Sequence, residues 1–430
     1  MERERTDLSD WEMWDEQYVW HPYTQMKGAK HLSVESAKGS QIKLKDGREI
    51  IDAVSSWWVN PHGHSHPYIA EKIHEQAQNL AHVIFAGFRH EPAARLAKTL
   101  ADWLPGSLNR VFFSDNGSTA VEAALKMCIQ AHYNEGKPKK TIVAFEGAYH
   151  GDTLGAISTS AQDTFFTAFK EYTFEIQRIP LPNAGNFKDC FEKFHSVLKD
   201  GDVAAFIYEP LVQGAAGMEI YSPFHLEQLI QLAKQWGAYC IADEVMTGFG
   251  RTGKTFASEY METSPDVICL SKCLTGGALP MAITVGSDEI YEKFFSDEKQ
   301  KMFFHGHSFT GNPIGCAASI ASLELLKKQD CQDAIQRINR QHKAFSDRIK
   351  SHPKVTRLRM MGTILAFDWK IDEKTNYYAE IRDELYEFFL SKGVLLRPLG
   401  NIVYILPPYC ISKEELEEVY SAIESALEKF

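Results

Sequence analysis

Positive charge is the first thing this chain is short of: 46 lysines and arginines face 57 acidic residues, a net charge of −11. A nucleic-acid binder carries a basic footprint, so that class of partner is excluded. No apolar run approaches the ~20 residues of a membrane-spanning helix, and residues 1–6 are polar and lead into no apolar signal segment. A membrane partner is therefore not expected. None of the eight cysteines forms a Cys-x-x-Cys pair, and several, such as Cys240 and Cys269, sit inside apolar runs where a free thiol acts as a small hydrophobe. A disulfide framework is not expected, and a reducing, cytoplasmic setting follows. Internal repeats and low-complexity stretches are missing as well.

What is present reads as an ordinary globular protein. The chain has 430 residues, 44% hydrophobic and 24% charged. That length exceeds what one small core serves, so two or three domains are expected. Residues 1 to about 20 are polar with interspersed Trp11 and Trp14, an arm to be laid on another surface. Residues 39–52 alternate about Asp46-Gly47, a hairpin signal. Ser55-Ser-Trp-Trp58 follows with no obvious period, and from about residue 66 to residue 320 apolar runs alternate with helical periodicity. The runs are 110–114, 141–145, 203–208, 238–242, 267–270 and 282–285, and Leu226, Leu229, Ile230 and Ala233 mark one of the helices. Continuous apolar strands linked by helices predict an α/β fold, a mostly parallel sheet covered on both faces. The last hundred residues mix helices with strands at 362–367 and 401–406, and end in a helix capped by Ser412 and Glu415. They are expected to form a smaller α+β unit that packs with residues 20–56. The predicted division is 1–57 as arm and first part of the small domain, 58–320 as the large domain and 321–430 as the rest of the small one.

Ligands of open α/β sheets bind beyond the carboxyl ends of the strands, and three sequence sites fall there. Ser114-Asp-Asn-Gly117-Ser118-Thr119 joins a strand to a helix; helix amides plus two hydroxyls make an anion site, or else a plain N-cap. Asp243 ends an apolar strand, where a carboxylate must be paired or hydrogen-bonded. Lys272 ends the next run, just before Gly276-Gly277. It is either a lysine that snorkels to the surface or a desolvated amine kept nucleophilic, as a Schiff-base lysine is. Together a phosphate cradle, a buried acid and a strand-end lysine supply what pyridoxal 5'-phosphate requires, with Tyr149 available to lie against its ring.

Two other patterns compete. Gly248-Phe-Gly-Arg-Thr-Gly-Lys254-Thr255 matches the P-loop spacing of nucleotide hydrolases. Its context is wrong, because residues 244–247 separate it from its strand and Ser264-Pro265 soon follows. A glycine-rich active-site loop carrying Arg251 is the preferred reading. His62, His64 and His66, with His305 and His307, suggest a metal site, but no acid or cysteine ligand lies nearby in sequence. Hydrogen bonding around a polar loop is expected instead.

These residues resemble the class III branch of fold-type I pyridoxal-phosphate aminotransferases, from about Trp20 to the C-terminus. The likeness rests on Trp20-His-Pro-Tyr-Thr-Gln-Met26, Ser55-Ser-Trp-Trp58, Tyr149-His-Gly-Asp-Thr153, Asp243 to Lys254, and Leu274-Thr-Gly-Gly277. The resemblance implies a fold-type I large domain, a homodimer with shared active sites, and pyridoxal 5'-phosphate as cofactor. Lys272 would carry the cofactor, Asp243 bond its ring nitrogen, Gly117 and Ser118 hold its phosphate, and Tyr149 stack on its ring. Tyr23 and Trp57 would shape the substrate pocket, and Arg397 would bind a substrate carboxylate. Gly306, His307 and Ser308 would reach the phosphate from the second subunit. The first and second segments are similar to the biotin-pathway members, which implies conversion of 8-amino-7-oxononanoate to 7,8-diaminononanoate with S-adenosylmethionine as amino donor. Gly306-His307-Ser308 stands where many of them read Gly-Pro-Thr, and Met246 where a small residue is common. Those departures keep lysine as an alternative donor, and another ω-aminotransferase as an alternative activity.

Overall fold

In the run Val203–Tyr208 every residue is buried, with Phe206 in the core on one face and Ile207 in the core on the other. That alternation is possible only in a strand covered on both sides, and it sets the plan of the molecule. The computed structural model describes residues 8–161, 166–371 and 380–430; residues 1–7 of the N-terminal arm lie outside that description.

Among the described residues seven strands make the main sheet, in the order Leu108–Ser114, Ala282–Ser287, Val267–Leu270, Tyr239–Asp243, Val203–Tyr208, Thr141–Phe145 and Gln177–Ile179. Ala282–Ser287 runs antiparallel to both neighbours, and the pairings from Val267–Leu270 onward are parallel. The mostly parallel α/β sheet expected from sequence is thus observed. Helix Gly117–Asn134 covers one face, burying Val121, Ala124, Leu125 and Cys128 with Ile142, Ile207 and Ile241. Helix Pro223–Gln235 covers the other, with Leu226, Leu229, Ile230 and Ala233 buried as the periodicity predicted. Cys128, Cys190, Cys240, Cys269, Cys273, Cys316, Cys331 and Cys410 are free.

The hairpin about Asp46-Gly47 forms from Gln41–Leu44 and Glu49–Asp52, and Val394–Leu395 adds to it in parallel through the Ile51–Val394 pair. The first and last parts of the chain therefore share one sheet. A second sheet, Val355–Met361, Ile364–Trp369 and Ile402–Ile405, packs against helix Gln329–Ile349, which in turn meets the terminal helix Lys413–Lys429, whose Ser412–Glu415 capping box is present.

Sequence alone gave no period for residues 55–58, and the backbone explains why. Ser55, Ser56 and Trp58 all take positive φ, at 51°, 61° and 67°, conformations that cost roughly 1–3 kcal/mol each. The buried carboxylate of Asp52 holds them, accepting the Val54 amide at 3.1 Å, the Ser56 amide at 2.7 Å and His64 Nε2 at 2.8 Å. The turn sends adjacent tryptophans apart. Trp58, 5% exposed, donates through its indole N–H to Tyr404 Oη, whereas Trp57 stays 40% exposed.

The glycine-rich loop corrects one expectation. Arg251 does not face a ligand site; it is fully buried, donating to the Pro407 carbonyl at 2.9 Å and the Trp58 carbonyl at 3.3 Å, with its guanidinium over Tyr409. Glycines at 248, 250 and 253 let the loop fold around that side chain instead of around a phosphate. Lys254 is exposed and donates to the Glu259 carbonyl, and only the short turn Ala257–Tyr260 follows. Arg251 ties three distant segments together. Arg251→Ala strands two carbonyls and opens a cavity, and should lower stability by about 3 kcal/mol in urea unfolding. Lys254→Ala should leave the midpoint within about 0.5 kcal/mol. Equal midpoints for the two variants would contradict the clamp.

Candidate active site

Parallel strands end on the same side of a sheet, so residues just past them converge. A cavity of about 690 Å³ opens there, and Gly117, Ser118, Tyr149, Asp243 and Lys272 all line it. Five residues separated by up to 155 positions in sequence thus meet at one place, delivered by four strand ends: Gly117 and Ser118 open the helix after Leu108–Ser114, and Tyr149, Asp243 and Lys272 belong to the ends of Thr141–Phe145, Tyr239–Asp243 and Val267–Leu270.

The helix Gly117–Asn134 begins at the cavity wall. Asn116 caps it by accepting the Thr119 amide at 3.1 Å. The Gly117 and Ser118 amides precede that bond and have no partner among the described residues, so two donors and the positive end of the helix remain for an anion. Two glycines allow the close walls. A Cβ on Gly117 would lie 2.8 Å from Val245 Cγ1, and one on Gly151, at φ +127°, would lie 2.2 Å from Ser118 Oγ. Ser118 Oγ accepts the Asp152 amide at 3.0 Å, which leaves its own O–H free to donate. This cradle fits a phosphate.

Asp243 is buried between two donors: Val245 N–H at 3.1 Å and His150 Nδ1 at 2.7 Å. A carboxylate only accepts, so His150 carries its proton on Nδ1; Nε2 has no partner among the described residues. Just past the next strand, at the start of the turn Lys272–Thr275, Lys272 takes φ +44° and sets its ammonium 5.2 Å from the centre of the Trp58 ring. Solvent reaches part of the side chain, but enough protein surrounds the amine that desolvation lowers its pKa, against the opposing pull of Asp243 and Glu209. Of the two readings of Lys272, the enclosed amine is the one observed. Glu209, also in the cavity wall, is pushed up to about 7 by burial and by Asp243, with His150 opposing.

The mouth is aromatic. Tyr23 Oη donates to Asp152 Oδ2 at 2.6 Å, and Tyr149 Oη to Asp152 Oδ1 at 2.9 Å. Burial, helped by Tyr23 and Asp152, raises the Tyr149 phenol well above its usual range, so the hydroxyl stays protonated. Trp57 meets Tyr23 edge-on at 5.2 Å, and the Arg397 guanidinium lies 4.9 Å over Trp57. Among the described residues Arg397 has no carboxylate partner, so a half-buried cation is available to a ligand.

Gly306, His307 and Ser308 do not line this cavity. They sit on a loop where the Ser308 carbonyl meets His82 Nε2 at 2.8 Å, with Phe304 and Phe309 exposed beside them. Of the other histidines, His62 bonds Ser322, His64 bonds Asp52 and Asn60, and His305 bonds Lys126, whereas His66 Nδ1 has no partner among the described residues. Sequence reading held His150, Asp152 and Trp58 only as members of quoted motifs, without a role, and passed over Glu209. Glu209 carried the signal that marked Asp243, an acid directly after a wholly apolar strand; His150 gave none, because its partner lies 93 residues away.

Comparison with known proteins adds names to this geometry. Residues 23–427 match the class-III aminotransferase family. A curated relative from Synechococcus elongatus, adenosylmethionine-8-amino-7-oxononanoate aminotransferase, is 48% identical over 96% of this chain and 99% of its own length. One of the same name from Geobacter sulfurreducens is 35% identical over 96% of each chain. A solved structure of that name from Methanocaldococcus jannaschii superposes with a TM-score of 0.92 at 34% identity, over 97% of this chain and 98% of that one. The PLP-bound amine transaminase of an uncultivated Pseudomonas species gives 0.90 at 26% identity, over 96% and 98%.

The electrostatics make a direct forecast. Reductive methylation of Lys272 in the cofactor-free protein, followed across pH by peptide mass spectrometry, should have its midpoint below the ordinary lysine value of 10.5. Asp243→Asn should move it lower still, because the carboxylate that favours the ammonium is gone. An unshifted midpoint, or an upward move in the variant, would contradict the assignment of causes.

Proposed function

This chain belongs to the class-III aminotransferase family, and from that premise we propose that it converts 8-amino-7-oxononanoate to 7,8-diaminononanoate in biotin biosynthesis, with S-adenosylmethionine as amino donor. The observation that carries the reading is one cavity holding a desolvated lysine amine, a buried carboxylate on the adjacent strand and an open helix N-terminus. The shared name of the relatives from Synechococcus and Geobacter supports both substrates.

Pyridoxal 5'-phosphate, when bound, supplies an electron sink beside the carbon that loses its proton and a carbon that carries nitrogen between substrates. Gly117 and Ser118 would hold its phosphate, and Tyr149 would lie against its ring. Asp243 would keep the proton on the ring nitrogen, and His150, bonded to its Oδ2, fixes the direction of that carboxylate. Lys272 Nζ would bind the cofactor and then act as base, taking the proton from the substrate carbon that bears nitrogen and returning it later. Its desolvation serves that task, since a lowered pKa leaves more free amine near neutrality. Tyr23 and Trp57 would wall the substrate channel. Arg397, stacked on Trp57 and free of any ion pair among the described residues, would take the distant carboxylate of the keto acid as a bidentate fork.

The same reading makes the protein a homodimer, in which Gly306, His307 and Ser308 complete the phosphate site of a second copy. That they do not line the cavity of their own chain, and that Phe304 and Phe309 beside them are exposed, support it. It keeps the division at residues 57 and 320, and the eight free cysteines favour a cytoplasmic setting.

The protein supplied with pyridoxal phosphate, 8-amino-7-oxononanoate and S-adenosylmethionine should form 7,8-diaminononanoate, detected by mass spectrometry. Lys272→Ala should fold and form none. Product with lysine alone as donor would reassign the donor, and wild-type turnover by Lys272→Ala would end the mechanism. Arg397→Ala should cost roughly 2–5 kcal/mol in kcat/KM for the keto acid and less for the sulfonium donor. Equal losses for both substrates would mean one shared carboxylate site.

A further inference from the structure

Glu209 has no place in the roles above, yet it is a carboxylate buried in the cavity wall with no ion pair among the described residues. A buried acid is costly unless its oxygens are hydrogen-bonded. Here each oxygen has one backbone donor: Oε1 accepts the Tyr149 amide at 3.0 Å, and Oε2 the Gly214 amide at 2.9 Å. Those donors belong to separate segments. Tyr149 follows the strand Thr141–Phe145, whereas Gly214 opens a turn closed by the amides of Gly217 and Met218 on its carbonyl. Both segments adjoin the cavity. Tyr149 lines it directly, and Gly214 backs onto Trp58 and Met246, where a Cβ would stand 3.1 and 3.2 Å from their side chains.

Glu209 therefore bridges two walls that share no strand pairing. We propose that Glu209 is a positioning residue for the transamination, fixing the backbone of Tyr149 against the Gly214 turn so that the Tyr149 ring is held at the cofactor's place. The proposal rests on the aminotransferase reading. Only a carboxylate offers two acceptors to two N–H groups. A glutamine keeps the shape but turns an NH2 toward one of them, and an aspartate is a methylene too short to span both.

The test uses the full chain, first without cofactor. Amide exchange by mass spectrometry should be at least tenfold faster at Tyr149 or Gly214 in Glu209→Gln and in Glu209→Asp, with strands Val203–Tyr208 and Tyr239–Asp243 protected as in wild type. Titration with pyridoxal phosphate, read by tryptophan fluorescence, should then give about tenfold weaker binding for Glu209→Gln. In a Tyr149→Ala background the same change should weaken it by less than twofold, because Glu209 acts through Tyr149. Unchanged exchange in both variants overturns the clamp. Equal weakening with and without Tyr149 overturns the positioning role, since it would mean that Glu209 acts by another route. Faster exchange in a wild-type background that binds no pyridoxal phosphate would leave the clamp standing and overturn the functional reading instead.

Discussion

Withdrawal of charge from water at the ends of adjacent parallel strands is the constraint on which the rest of this structure depends. Asp243, Glu209 and Lys272 come from three neighbouring strand ends and share one cavity. None could sit there alone, because each ion loses hydration that the protein must replace. The replacement differs for each. Asp243 has His150 and a backbone amide, Glu209 has two backbone amides, and Lys272 has the face of Trp58 and the field of both acids. The balance leaves the amine more easily deprotonated than a surface lysine, which is the condition for using it as a nucleophile and base.

Much of the remaining architecture keeps that arrangement aligned. The Asp52 carboxylate holds a turn that separates Trp57 from Trp58, placing one at the mouth and the other under the amine. Arg251 secures the same turn from below through the Trp58 carbonyl. The arm beginning at helix Asp10–Tyr18 reaches the mouth through Tyr23, whose hydroxyl joins Tyr149 on the two oxygens of Asp152. The N-terminal segment is thereby part of the cavity's rim, at the residue, Tyr23, that the resemblance pointed to.

How much was legible follows from what each residue depends on. The main sheet could be read because doubly covered strands are apolar throughout, and Asp243 and Lys272 stood out as charges where such runs stop. The Gly117–Ser118 cradle was readable as a strand-to-helix junction, though not as against a plain cap; what separates the two is which amides Asn116 leaves open. Arg251 was misread because glycine-rich loops usually face solvent or ligand, and only the tertiary fold shows this one closing over a buried guanidinium. His150 and the strained backbone at Ser55–Trp58 were not legible, since one depends on a partner far along the chain and the other on hydrogen bonds to Asp52. Gly306, His307 and Ser308 stand apart from the cavity of their own chain, so their part rests on the resemblance and on a second copy.

The central claim is that nitrogen leaves S-adenosylmethionine and reaches 8-amino-7-oxononanoate through this one cavity. The most direct measurement is the visible absorption of the purified protein loaded with pyridoxal phosphate, followed as each substrate is added alone. The account predicts that S-adenosylmethionine removes the visible band without any keto acid present, and that 8-amino-7-oxononanoate added afterwards restores it. A band that S-adenosylmethionine leaves unchanged, or one that the keto acid cannot restore, would contradict it.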